Sequence, residues 1–146
     1  MMIAIGADHA GYEYKEKIKE LLLSLKIQTR DFGTYSPEAV DYPDFAHEVA
    51  KMVSEGKAEY GILVCGTGIG MSIVANKHKG IRASNVESVL GARYARSHNN
   101  ANILALGARL LPWEKVQEIV KVFLTTPFEG GRHQRRVEKI HSLTHL

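Results

Sequence analysis

Apolar and polar positions along this chain follow two alternating periods. Short apolar runs at Met2–Ala7, Ile27–Phe32, Ile62–Cys65, Ile81–Ser84 and Ile103–Leu106 read as strands. The third, Ile62-Leu63-Val64 closed by Cys65, is apolar throughout and suits burial on both faces. Between the runs the spacing lengthens to three or four residues, which predicts helices over Gly11–Leu25, Pro43–Ser54, Met71–Lys77, Val86–Ser97 and Trp113–Leu124. Ile18, Leu21, Leu22 and Leu25 share a face of the first, Pro43 and Pro112 stand where a helix start tolerates proline, and Gly56 follows a helix end. A last helix over Arg132–Ser142 follows the breakers Pro127, Gly130 and Gly131.

Strict alternation in 146 residues predicts an α/β fold: a single three-layer domain with a five-stranded parallel sheet, flavodoxin-like or Rossmann-like order 2-1-3-4-5, plus a C-terminal helix. No repeat or linker divides the chain, so residues 1–146 form one domain. In such sheets ligands bind beyond the carboxyl ends of the strands, at the switch between the first and third. Asp8-His9 is thereby expected beside Cys65-Gly66-Thr67.

The stretch after the central strand is the most informative. Gly66-Thr67-Gly68-Ile69-Gly70 joins a strand to a helix start, and glycines there let successive N–H groups converge on an anion while the helix dipole adds positive potential. The spacing is not Gly-x-Gly-x-x-Gly, no acidic residue follows at the distance a ribose hydroxyl needs, and the Lys-Ser/Thr pair of a P-loop is missing. The loop therefore suits an anion other than a dinucleotide or nucleoside triphosphate.

Composition narrows the picture little: 45% hydrophobic and 24% charged residues are ordinary for a globular domain. The absence of a basic leader and of any apolar run near 20 residues gives the expectation of a cytoplasmic protein that contacts no membrane. The lone cysteine leaves Cys65 free for packing or chemistry. The net charge of +3 is local, because Arg132, Arg135, Arg136 and Lys139 face only Glu138 near the end of the chain.

Each candidate has a plainer alternative. Asp8 suits a helix cap as well as a site. Cys65 suits a buried inert thiol, although a glycine-rich helix start is a setting in which thiolates react. His98-Asn99-Asn100 suits a helix-ending turn, and it falls at the amino ends of the strands, where only a partner subunit would bring it to a site. Arg109 follows the fifth strand at the site edge or is simply solvated. Arg132 and Arg136 share a helical face and can hold a phosphate dianion, with Val137, Ile140 and Leu143 packing down; the alternative is a solvated basic tail touching RNA. His47, His78, His141 and His145 read as surface residues, and no spacing resembles a metal site.

Taken together, Gly6-Ala7-Asp8-His9-Ala10-Gly11, Asp41-Tyr42-Pro43-Asp44, Cys65 to Ser72, Ala75-Asn76-Lys77, Arg82-Ala83, Ser97 to Asn102 and Gly130 to Arg136 resemble type B ribose-5-phosphate isomerases over essentially the whole chain. The resemblance implies aldose–ketose isomerisation of ribose 5-phosphate and ribulose 5-phosphate through an enediolate, without cofactor or metal. It implies Cys65 as base at C2, Thr67 handling hydroxyl protons, and backbone N–H groups from Gly66, Thr67, Gly68, Ile69 and Gly70 holding the enediolate. It implies His98 opening the furanose, Asp8 on the ring hydroxyls, Asn99 on a sugar hydroxyl, and phosphate on His9, Arg132 and Arg136 with Arg109 in support. The partners it implies are a sugar phosphate and a second copy, in a homodimer or dimer of dimers with shared sites, and no nucleic acid. Members lacking the cysteine carry Glu at the position of Met71; this chain has Cys65 and Met71, which leaves Met71 a packing role, and Tyr42 either walls the pocket or packs its loop. Six-carbon sugar phosphates (allose or galactose 6-phosphate), rare aldoses, or phosphate binding without turnover are the alternatives.

Overall fold

A computed structural model describes residues 1–146. Six helices and five strands alternate as β1 (Met2–Ala7), α1 (Tyr12–Ser24), β2 (Gln28–Asp31), α2 (Tyr42–Ser54), β3 (Tyr60–Cys65), α3 (Ile69–Ala75), β4 (Ala83–Asn85), α4 (Val89–Ser97), β5 (Ile103–Gly107), α5 (Trp113–Thr125) and α6 (Arg132–Thr144). All strand pairs are parallel, as short strands joined by helical crossovers require. The sheet separates two cores because side chains alternate across it. Ile3, Ile5, Ile62, Val64, Leu104 and Leu106 face α1, α4 and α5. Ala4, Leu63, Cys65, Ile103 and Ala105 face α2 and α3. Each fully buried Ile or Leu contributes roughly 1.5–3 kcal/mol.

The expected strand order needs one correction. The sheet runs β2-β1-β3-β5-β4, so the last two strands exchange places. The reason lies in their composition: β5, Ile-Leu-Ala-Leu-Gly, is buried throughout and takes an interior position, whereas β4 is three residues, Ala-Ser-Asn, partly exposed and suited to an edge. Asn76 closes that edge by pairing both ways with the Ala83 backbone, Nδ2 donating to its carbonyl at 3.0 Å and Oδ1 accepting its N–H at 2.8 Å.

Two helical stripes also differ from expectation. Ile18, Leu21 and Leu22 are buried as expected, but Leu25 is the cap residue of α1 and lies 43% exposed. On α6 only His133 and Val137 are buried, while Ile140 and Leu143 are exposed at 41% and 76%. Alpha-helical spacing placed them on one side; the buried residues of the helix lie in its first half, and His141 bonds Arg82 further along.

Candidate active site

The strands end in a depression of about 420 Å³ lined by Asp8, Tyr42, Cys65, Gly66, Thr67, Ile69, Gly70, Ile73 and Arg109. Register puts its two walls side by side: Ala7 pairs with Val64, Cys65 with Gly107, and the Asp8 N–H continues the ladder to the Val64 carbonyl at 3.2 Å. The thiol of Cys65 points to the α3 side of the sheet, and the Gly68 N–H donates to its Sγ at 3.0 Å. The turn that makes this bond requires glycine: Gly68 sits at φ +80°, and a Cβ there would lie 2.6 Å from Asn85 Oδ1 and 2.9 Å from the Leu106 carbonyl carbon.

Of the five N–H groups from Gly66 to Gly70 expected to line an anion hole, two are occupied. Gly68 serves Sγ and the Ile69 N–H donates to Thr67 Oγ1 at 3.2 Å. The N–H groups of Gly66, Thr67 and Gly70 have no protein acceptor. Arg109 packs across Gly66, and the Tyr42 ring covers Gly70, where a Cβ would stand 2.5 Å from Cζ. Tyr42 thus walls the depression, while Met71 is fully buried beneath it in a packing position.

Asp8 lines the depression and closes the turn before α1, whose cap residue is Gly11 rather than Asp8. Its Oδ1 accepts the N–H groups of Ala10 and Gly11 at 2.9 and 3.1 Å, while Oδ2 makes no hydrogen bond. His9 does not line the depression; its Nδ1 accepts the Val40 N–H at 3.1 Å, which leaves Nε2 as the protonated, unengaged nitrogen. The 33–41 loop over His9 is fastened at its other end by Asp31, which takes the Gly33 N–H at 2.8 Å, and by Tyr35 Oη, which donates to the Asp31 carbonyl. Asp31 in turn receives the fully buried Lys15 at 2.6 Å and Lys19 at 2.8 Å. Burial opposes ionisation of Asp31, but Lys15, Lys19 and the Gly33 N–H together outweigh it and hold its carboxyl below the usual aspartate range.

The remaining candidates gather at the amino ends of the strands, opposite the depression. His98 caps α4, and Asn100, at φ +47°, ends the turn in the left-handed region, so the 98–102 segment is a helix-ending turn as well as a candidate. It lies beside the strand starts: the Asn102 carbonyl accepts the Gly61 N–H, and the Asn102 N–H donates to Arg82. Arg96 braces it from inside, donating to Asn100 Oδ1 and the Ala101 carbonyl at 2.9 and 2.6 Å, and Arg82 from outside, donating to the Asn99 and Asn100 carbonyls at 3.1 Å. Arg82 also donates to His141 Nε2 at 2.8 Å, so His141 is half-buried rather than a surface residue and ties α6 to the turn. Arg132 and Arg136 are exposed on α6. His47 and His78 face solvent in part and bond each other at 2.8 Å. One chain therefore holds the candidate residues in two separate groups, Cys65 with Asp8 and Arg109 at the carboxyl ends of the strands and His98 with Asn99, Arg132 and Arg136 at the other end.

The sequence matches the family model described as Ribose/Galactose Isomerase over residues 3–140. The chain belongs to this family. It is similar to ribose-5-phosphate isomerase B of Escherichia coli, at 44% identity over 97% of this chain and 95% of that protein. Its fold is similar to that of Clostridium thermocellum ribose-5-phosphate isomerase B, with a TM-score of 0.98 and 46% identity over 99% of this chain and 98% of that one. The Mycoplasma genitalium ribose-5-phosphate isomerase B solved with bound ribulose 5-phosphate matches with a TM-score of 0.96 and 42% identity, covering 99% of this chain and 96% of that one.

Within this family member, sequence reasoning passed over two residues beside His98. His133 stacks on the His98 ring with centroids 4.2 Å apart and planes 11° apart, and Glu129 Oε2 lies 3.4 Å from His133 Nε2 and 3.7 Å from His98 Nε2. A signal for His133 was present, since it stands four residues before the buried Val137; Glu129, in a loop, gave none. The trio is no metal cage: lone pairs lying in two nearly parallel ring planes do not converge on one point. No helix is long and apolar enough to cross a membrane.

Proposed function

We propose that this chain is an aldose–ketose isomerase that interconverts ribose 5-phosphate and ribulose 5-phosphate through an enediolate, with each site assembled from two copies. The observation that carries the reading is the Cys65 thiol, 3.0 Å from the Gly68 N–H, in a depression lined by Gly66, Thr67 and Gly70, whose N–H groups have no protein acceptor. Cys65, as thiolate, moves the proton between C1 and C2, and N–H groups of Gly66, Thr67 and Gly70 neutralise the enediolate oxygen. Such preorganised donors are worth about 10²–10³ in rate each. Thr67 shuttles hydroxyl protons, and Asp8 offers its free Oδ2 to the sugar hydroxyls.

The second half-site supplies ring opening and phosphate binding. His98, Asn99, Arg132 and Arg136 of one copy complete the depression of the other, which resolves their placement at the opposite end of the strands. His9 presents Nε2, and Arg109 its guanidinium, to the phosphate from the Cys65 side.

Proton NMR of ribose 5-phosphate in D₂O, with wild type and Cys65→Ala, tests the chemistry. The expected result is ketose formation with solvent deuterium at the carbon next to the carbonyl for wild type, and neither for the variant, which still binds the sugar phosphate. Wild type inert on ribose 5-phosphate but active on allose or galactose 6-phosphate overturns the pentose assignment, and full activity of Cys65→Ala overturns the base.

A further inference from the structure

The ring of His98 is held in a slot. Tyr94, one turn earlier on α4, covers one face with centroids 4.6 Å apart and planes 24° apart, and His133, from the first turn of α6, covers the other at 4.2 Å and 11°. Glu129 is pinned beside them because its N–H donates to the Ser97 carbonyl at 3.0 Å, and its carboxylate borders both imidazole Nε2 atoms. The His98 side chain remains 34% exposed while that of His133 is 10% exposed, so the inner ring is enclosed and the outer one reaches solvent at its edge. A ring stacked on both faces cannot turn about its Cβ–Cγ bond without breaking two contacts.

We propose that His133 is a positioning residue for His98: stacked on its imidazole, it fixes the ring plane that presents a nitrogen to the sugar ring oxygen during ring opening. The inference rests on the reading of His98 as the ring-opening group. In that step the bond from C1 to the ring oxygen breaks, the ring oxygen takes a proton from His98, and the C1 hydroxyl proton passes to water, leaving the aldehyde. A proton donor must lie within hydrogen-bond reach of a lone pair on the ring oxygen, and a freely turning imidazole would seldom be there. His133 suits a stacked neighbour for a second reason. Burial, then His98 and Arg132, hold its own proton affinity below the usual imidazole range, which disfavours a second positive charge against the His98 ring.

The test exploits the open chain of ribulose 5-phosphate, whose O5 is esterified and cannot close a ring. Solvent exchange at its C1 in D₂O reports enediolate formation alone, whereas turnover of saturating ribose 5-phosphate also requires ring opening. His133→Gln is expected to lower ribose 5-phosphate turnover about tenfold or more while leaving exchange within about twofold, and His133→Phe, which restores a flat ring, recovers most of the loss. Equal falls in both readouts, no change in either, or a His133→Phe no better than His133→Gln overturns the proposal. A His98→Asn variant that still turns over ribose 5-phosphate at the wild-type rate removes the ring-opening reading itself, and the proposal with it.

Discussion

Gly107→Ala is a sharp test of the anion cradle because it perturbs the cradle from outside. Gly107 ends β5 and does not itself line the depression, yet a Cβ built on it lies 2.7 Å from the Thr67 carbonyl oxygen and 2.8 Å from its carbonyl carbon and Cα. Ordinary contact begins at 3.4 Å, so the Thr67 backbone must retreat by about 0.7 Å. No flexible side chain is available to absorb the clash. Misplacing catalytic groups by about 1 Å costs on the order of 10²-fold, which predicts a loss of roughly ten- to a hundredfold in kcat. The accompanying overpacking costs about 1–3 kcal/mol, leaving the protein folded at 25 °C. Steady-state turnover of ribose 5-phosphate, read beside the thermal unfolding midpoint, separates the two effects. Gly56→Ala is the control: at φ +72° with nothing within 4 Å of its Cβ, it carries strain of about 1 kcal/mol and leaves kcat untouched. A folded Gly107→Ala protein with kcat within about twofold of wild type would refute the claim that turnover depends on the position of these N–H groups.

Asp31 gives a pH prediction. Its folded-state value lies below that of the unfolded chain, so its stabilisation is complete above about pH 4 and is lost as pH falls through the folded value; Asp31→Asn should remove this acid-side slope from unfolding midpoints measured between pH 2 and 6. Co-refolding equal amounts of inactive Cys65→Ala and His98→Asn chains should restore about one quarter of wild-type activity, since half the dimers are mixed and each holds one intact site; no recovery would mean that both residues act within one chain. Arg82→Gln, which removes donors to Asn99, Asn100 and His141, should cost about 2–3 kcal/mol in chemical denaturation and raise KM for the sugar phosphate.

Much of this arrangement was legible in the sequence because local chemistry decides it. The strand ending in Cys65 and the glycines after it predict a strand, a turn and a helix start, and that is their structure. The order of β4 and β5 depends on which strand loses less by standing at an edge, a comparison between segments that periodicity within either does not make. Lys15 stands three residues before Ile18 on the buried stripe and finds Asp31 there, a pairing across two elements that the pattern within either does not show. The stack of His133 on His98 likewise joins residues from two helices, and its only local trace is the spacing from His133 to Val137.

The enclosure of Cys65 also sets which reagents reach it. Its residue is 5% exposed, its sulfur lies under α3, and the Tyr42 ring and the Arg109 chain flank the opening. Hydrogen peroxide and iodoacetamide are small enough to enter, whereas a maleimide bearing a bulky fluorophore meets the tyrosine first. The thiol is thus guarded by steric filtering, and labelling rates should fall with reagent diameter rather than follow intrinsic electrophilicity. A sugar phosphate held in the depression would stop even the smallest alkylator, which makes the kinetics of modification a direct gauge of site occupancy.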